Sequence, residues 1–376
     1  MNLSYTEEQV MLREQIQKFC ETEYDFYKRE DVVKSDKDFD DKAWSLFAEQ
    51  GWLSMPFSEE SGGFGFGPIE LSVLFEEFGK SLVIEPYLAN VVLAGTVLDK
   101  SNFTNKSELI EGICSGLMHV SLAFAEPANS YEYLHPNTNL SDNNKLNGTK
   151  SLVLNGKNAS KIIVSCIKNN SLSLVLVDQD ADGVSFNSFR TIDEQTCAEY
   201  IFENVSIDDS NIIATGDEAE NLLVEAINLA TLCVSAEAVG CMSSCYLKTV
   251  QYTKEREQFD QPISNFQVLQ HRMVDMFIDS ELAKSLLYKA MLEVDSNSDD
   301  KFKHVSALKA HVGKFGKLSA QNAVQLHGGM GVSEEMMIGH YLKKIEEMMI
   351  GHYLKKMVAV DAMFGNADFH LKAFSK

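Results

Sequence analysis

The chain has 376 residues, 45% hydrophobic and 23% charged, with 55 acidic against 33 basic side chains and a formal charge of −22. That length and apolar content allow two or three domains. The acidic excess, with no block of Lys and Arg, excludes nucleic acid as a partner.

Met1-Asn-Leu-Ser-Tyr-Thr-Glu-Glu8 has neither a basic nor an apolar signal region, so no secretory signal is expected. No run approaches eighteen apolar residues, so no membrane insertion is expected either. Seven cysteines (Cys20, Cys114, Cys166, Cys197, Cys233, Cys241, Cys245) form no Cys-x-x-Cys pair and no disulfide-like framework. Reduced thiols and a cytoplasmic protein follow from that pattern.

Residues 5 to about 115 predict helices. Thr6-Glu-Glu-Gln9 has the form of a capping box, and Val10, Leu12, Ile16 and Phe19 follow at near-helical spacing. Ser61-Gly-Gly-Phe-Gly-Phe-Gly-Pro68 predicts a turn whose proline opens the next helix, through Phe75, Phe78 and Leu82. Those glycines are not read as a nucleotide cradle, because no strand precedes them in a βαβ unit.

From about 118 to 210 the pattern changes to short strands. Val120–Ala125, Ser151–Leu154, Lys161–Cys166, Leu172–Val177 and Glu199–Phe202 are the strand candidates, spaced as in a small all-β sandwich or barrel. Helical periodicity returns from about 217, predicting helices over 218–256, 266–294 and 302–325, with Asp295-Ser-Asn-Ser-Asp-Asp300 as a linker. The first would be about 60 Å long. The fold class is therefore α+β: an N-terminal helical domain (1–116), a middle β-barrel or sandwich domain (117–214) and a C-terminal four-helix-bundle domain (215–376). Cys241 and Cys245 would share a helix face, but without a nearby His or further Cys no metal site is expected.

Two segments carry the chemistry. Arg256-Glu-Gln-Phe-Asp-Gln-Pro-Ile-Ser-Asn-Phe-Gln267 and Gln325-Leu-His-Gly-Gly-Met-Gly331 resemble the two flavin-holding signatures of the acyl-CoA dehydrogenase family. The resemblance extends over nearly the whole chain. Within the family it is nearest to the small subunit of pimeloyl-CoA dehydrogenase, through Phe57-Ser-Glu-Glu-Ser-Gly-Gly-Phe-Gly65, Ile84-Glu-Pro-Tyr-Leu88, Leu122-Ala-Phe-Ala-Glu-Pro127, Ala236-Glu-Ala-Val-Gly240 and Gly339-His-Tyr341.

The resemblance implies FAD, whose pyrophosphate needs cationic or amide donors and whose ring needs apolar walls. Arg256, Gln258 and Phe259 would reach a flavin held mainly by a neighbouring subunit. Gln267, Gln325, Leu326 and the Gly328-Gly329 backbone belong to the same site, with glycine letting main chain approach the cofactor. Two ring-side positions depart from the family pattern. Ala125 replaces a hydroxyl residue before Glu126-Pro127, and Leu152-Val153-Leu154 replaces a Trp-x-Thr segment. Ala125 and Leu154 would then serve through backbone N–H groups alone.

The reaction implied is α,β-dehydrogenation of an acyl-CoA thioester, in which a carboxylate removes the α-proton. Its usual position is Phe364 here, and the alternative on the long helix is Ala230 or Thr231, with Glu237 seven residues further on. Asp361 and Asp368 flank Phe364, Asp368 being a weak candidate base. The better expectation is a subunit lacking the carboxylate, completed by a homologous acyl-CoA dehydrogenase subunit or by copies of itself. A tetramer or heterotetramer follows, with electron-transfer flavoprotein as acceptor. The alternative is a non-catalytic or flavin-free scaffold subunit of the same assembly.

Glu334-Glu-Met-Met-Ile-Gly-His-Tyr-Leu-Lys-Lys344 recurs unchanged as residues 346–356, so 334–357 holds a tandem duplication with a period of twelve. Units that short and that identical are not a structural repeat family. Continued as helix, the extra copy would advance the chain by about 18 Å and turn it by about 120°. Extrusion near Gly339 or Gly351, where helix propensity is lowest, would return the tail to register.

Overall fold

The computed structural model describes residues 5–127, 132–349 and 367–374. Helix α1 (Glu7–Thr22) starts where the Thr6 hydroxyl accepts the Gln9 N–H at 3.2 Å and Gln9 Oε1 accepts the Thr6 N–H at 2.9 Å, the reciprocal bonds of a capping box. Its buried stripe is Leu12, Ile16, Phe19 and Cys20. Helices α2 (Phe26–Lys34) and α3 (Asp41–Glu49) begin on the carboxylates of Asp25 and Asp40.

Pro68 opens α4 (Pro68–Ser81), where Glu70 Oε2 accepts the Gly67 N–H at 2.9 Å. The glycine-rich segment before it folds back on its own chain. A Cβ on Gly63 would lie 2.2 Å from the Phe57 carbonyl oxygen. A π turn at Leu88–Ala94 runs into α5 (Gly95–Lys100), and α6 (Lys106–Cys114) ends this helical layer.

The middle region is one eight-stranded sheet. Its strands are β1 (Val120–Ala123), β2 (Asn139–Leu140), β3 (Lys145–Leu154), β4 (Lys161–Lys168), β5 (Ser171–Asp178), β6 (Val184–Arg190), β7 (Thr196–Ser206) and β8 (Ile212–Thr215). The order is β6-β7-β3-β2-β4-β5-β8, with β1 parallel to β4. Alternation along β4 fills two cores, since Ile162, Val164 and Cys166 pack inside the β region and Ile163 joins the helical core. Each of the five expected strands is present.

The long helix α7 (Asp217–Glu255, 39 residues) spans about 58 Å. By length and composition it could cross a membrane: one 18-residue window has a mean hydropathy of 1.7. This corrects the expectation that no segment is apolar enough, and 78% of the window is buried inside the fold, as in a core helix. Close packing on α4 depends on two glycines. A Cβ on Gly240 would meet the Glu76 carbonyl oxygen at 1.9 Å, and one on Gly79 the Glu237 oxygen at 2.0 Å.

A short hairpin of β9 (Glu257–Gln258) and β10 (Gln261–Pro262) leads to α8 (Gln267–Asp295). The segment expected as one helix over 302–325 is α9 (Lys301–His311) and α10 (Lys317–His327), joined by a π turn at Val312–Gly316. Helices α11 (Met337–Met349) and α12 (Ala367–Phe374) follow.

Extrusion at Gly339 is not what the chain does. Helix α11 runs unbroken through Gly339 and takes in Glu346–Met349 of the second copy. Packing outweighs the low propensity of one glycine: Ile338, Tyr341 and Ile345 are buried, and the Tyr341 hydroxyl donates to the Lys80 carbonyl at 2.7 Å. Gly351 lies outside the described residues.

Candidate functional site

The hairpin after α7 is a projecting arm. Arg256 donates its N–H to the Tyr252 carbonyl at 2.8 Å, ending the helix, and accepts the Ile263 N–H at 2.9 Å. Phe259 and Asp260 turn the chain with φ of 56° and 63°. Arg256, Gln258 and Phe259 are all exposed, Phe259 at 85%, with its ring edge-to-face with Phe266. Gln267, the first residue of α8, is exposed as well.

The second segment lies at the same end of the helical layer. His327 stacks on Tyr252 at 4.2 Å, and Arg272 of α8 donates to Asn322 of α10 at 3.0 Å. Gln325 is exposed, whereas the Leu326 side chain is buried in the core, so only its backbone is free to meet a ligand. Gly328 has φ of 59°, and a Cβ on Gly328 or Gly329 would meet nothing within 4 Å, leaving the backbone open on that side. His327 was not singled out by the sequence. Its Nδ1 sits 2.9 Å from the Ala323 carbonyl, Nε2 has no partner among the described residues, and burial lowers its pKa, keeping the ring neutral. Its place inside Gln-Leu-His-Gly was the available signal.

Ala125 and Leu154 belong to the sheet region. The Ala125 carbonyl accepts the Ser151 N–H at 2.9 Å, and the Leu154 carbonyl accepts the Ser121 hydroxyl at 2.8 Å. Leu154 also lines a cavity of about 30 Å³ enclosed by α4, residues 83–89, the end of β3 and α7.

Three carboxylates line that cavity. Asp38 pairs with Lys157 at 2.8 Å and accepts the Thr196 hydroxyl at 2.9 Å. Glu237 pairs with Lys344 at 2.9 Å; burial pushes its pKa up and Lys344 opposes that rise. Glu85 differs. Oε1 accepts the Asp40 N–H at 3.4 Å, Oε2 has no hydrogen-bond partner among the described residues, and burial raises the pKa to about 7, with the nearby Tyr24 hydroxyl working against the rise.

The alternative position on the long helix gives no such group. Ala230 is a buried methyl, and the Thr231 hydroxyl donates within its own helix to the Ile227 carbonyl at 2.7 Å. Phe364 and Asp361 lie outside the described residues, as does the side chain of Asp368 within α12. Below this region Lys344 also pairs with Asp193 at 2.9 Å, and Arg29 pairs with Glu30 at 2.7 Å beside His340. These buried charges join α11 to the N-terminal helices and the sheet.

An exposed cation, the exposed amides of Gln267 and Gln325, an exposed Gln258 whose amide donates to the Glu257 carbonyl at 2.6 Å, and an open glycine backbone suit an anionic dinucleotide reaching this face from outside the chain. The acyl-CoA dehydrogenase N-terminal domain matches residues 6–117 and the C-terminal domain matches residues 221–352. A probable acyl-CoA dehydrogenase of Bacillus subtilis, YngJ, is 26% identical over 362 residues, covering 91% of this chain and 93% of its own. The ChsE4–ChsE5 complex of Mycobacterium tuberculosis has a chain that is similar in fold, with a TM-score of 0.85 at 22% identity, covering 100% and 98% of the two chains. PigA in complex with FAD is similar at a TM-score of 0.87 and 19% identity, with the same coverage.

Proposed function

The chain belongs to the acyl-CoA dehydrogenase family, and from that membership we propose that it is an FAD-dependent subunit for α,β-dehydrogenation of an acyl-CoA thioester, one that lacks the usual carboxylate. FAD, when bound, accepts the β-hydrogen as hydride. The residues fit that group: Arg256 and Gln258 supply donors for the pyrophosphate, Phe259 an apolar wall, and Gln267, Gln325 and the Gly328–Gly329 backbone further contacts on the adenosine side. Leu154 and Ala125 offer the ring backbone groups in place of side-chain donors.

One observation carries the proposal. Arg256, Gln258 and Phe259 are all exposed on the hairpin that follows α7, as an arm serving a neighbouring subunit's flavin would be. The missing carboxylate then belongs to a homologous partner, in a tetramer whose large and small subunits parallel the pimeloyl-CoA dehydrogenase pattern. Electron-transfer flavoprotein is the acceptor that suits this chemistry, and the cytoplasm the compartment.

Flavin absorbance of the chain alone, and co-expressed with an adjacent homologue, tests the proposal when followed by bleaching with an acyl-CoA. Bleaching is expected only with the partner. Bleaching by the chain alone would show that it carries its own base. The small cavity beside Leu154 favours the alternative, a scaffold subunit without flavin of its own, for which co-expression would add no flavin beyond the partner's.

A further inference from the structure

The cavity beside Leu154 is walled by Phe75 and Phe78 of α4, Tyr87 and Leu88, and holds no lysine or arginine among its lining residues. At about 30 Å³ it has room for a single water or hydroxyl group. Of its three carboxylates, Asp38 and Glu237 are each held by a lysine, and Glu85 is not. Glu85 is 6% exposed, with one oxygen unpartnered among the described residues.

We infer that Glu85 sets acyl specificity, so that this cavity receives the far end of a short acyl chain when that end donates a hydrogen bond, as a hydroxyl does, and rejects a terminal carboxylate. The inference rests on the proposal that an acyl thioester enters this chain, with the flavin ring beside Leu154. A purely apolar chain end would leave the Glu85 oxygen buried and unpaired. A terminal carboxylate would bring a fourth acid into a site whose lining has no lysine or arginine and whose two neighbouring lysines are already paired with Asp38 and Glu237. A hydroxyl satisfies Glu85 in either protonation state, since a carboxylate accepts from it and a carboxylic acid can donate to it. This runs against a dicarboxylyl substrate of the pimeloyl kind, whose far carboxylate needs a cation.

Three four-carbon thioesters isolate the far end: butyryl-CoA, 4-hydroxybutyryl-CoA and succinyl-CoA. Calorimetric titration of the purified assembly, without electron acceptor, is expected to rank 4-hydroxybutyryl-CoA roughly tenfold tighter than butyryl-CoA, with succinyl-CoA weakest. Glu85→Leu removes the hydroxyl preference and relieves the exclusion of succinyl-CoA. Glu85→Gln, which preserves shape and hydrogen bonding, keeps the hydroxyl preference and serves as the control for folding. Equal binding of all three, or an unchanged order in Glu85→Leu, would overturn the assignment of Glu85 alone. Failure of any thioester to bind while flavin is retained would overturn acyl binding by this chain, and the inference with it.

Discussion

Glu85 ties the cavity to stability as well as to recognition. Its pKa rises from 4.5 to about 7 in the fold because burial disfavours the charged form. A folded-state pKa above the unfolded value stabilises most below the lower pKa and loses that contribution as pH rises through the upper one. The window is therefore pH 4.5 to about 7, and the loss across it is about 3 kcal/mol. Buried His119 works in the opposite direction, its pKa lowered to about 4 by desolvation, so its contribution is lost as pH falls. Subtracting the Glu85→Gln stability curve from that of the parent isolates Glu85. Chemical denaturation from pH 5 to 8 is expected to show the difference growing in favour of the variant, and a flat difference would place Glu85 in an ordinary carboxylate environment. Lys344 is the complementary case: Lys344→Met leaves Asp193 and Glu237 buried without their cation and is expected to cost about 3–5 kcal/mol in the same assay. Neither role was legible in the sequence. Ile84-Glu85-Pro86 reads as one charged residue in an apolar run, and Lys344 as one of two adjacent lysines, because burial depends on which distant elements arrive at that point.

At the level of elements, helices were legible and short strands were not. The capping box at Thr6, Pro68 at a helix start, and the polar linker after Asp295 are local signals, and the structure uses all three. β2 has only two residues, β8 four, and β6 alternates weakly and is mostly exposed, so their pairing comes from the neighbouring strands rather than from their own pattern. The contact of α4 with α7 was equally hidden, since it depends on Gly79 and Gly240 facing each other across the chain. Gly240→Ala forces its Cβ onto the Glu76 carbonyl and is expected to destabilise by roughly 1–3 kcal/mol or more in thermal unfolding, with loss of flavin as the helices part. The duplicated segment makes a sharper case. Among the described side chains the buried anchors of α11, Ile338, Tyr341, Lys344 and Ile345, precede residue 346, and Glu346 of the second copy adds a pair with Lys317 at 3.2 Å. Deleting residues 346–357 should therefore change stability by less than about 1 kcal/mol. A large gain in stability or flavin content would show instead that the extra copy damages the fold.

For the whole molecule, the proposed flavin contacts and the exposed apolar surface point to the same thing, a second subunit. On α8, Val274, Ile278 and Leu282 recur every fourth residue on the outward side, with Phe277 beside them, and each is roughly half exposed. A stripe of that kind is costly to leave in water, and a chain of net charge −22 gives no electrostatic reason for copies to associate. Apolar burial has to supply the association instead, and the arm bearing Phe259 starts at the end of the adjoining helix. Loss of assembly should then take the flavin with it. Replacing Phe277 and Ile278 by Asp is expected to shift the particle mass downward in light scattering and to release flavin, although neither residue is among the proposed flavin contacts. Arg256→Ala is expected to release flavin while leaving the mass unchanged, because its side chain is exposed and makes no packing contribution. Full flavin in a dissociated α8 variant would separate the two properties and show that the flavin is held within one subunit.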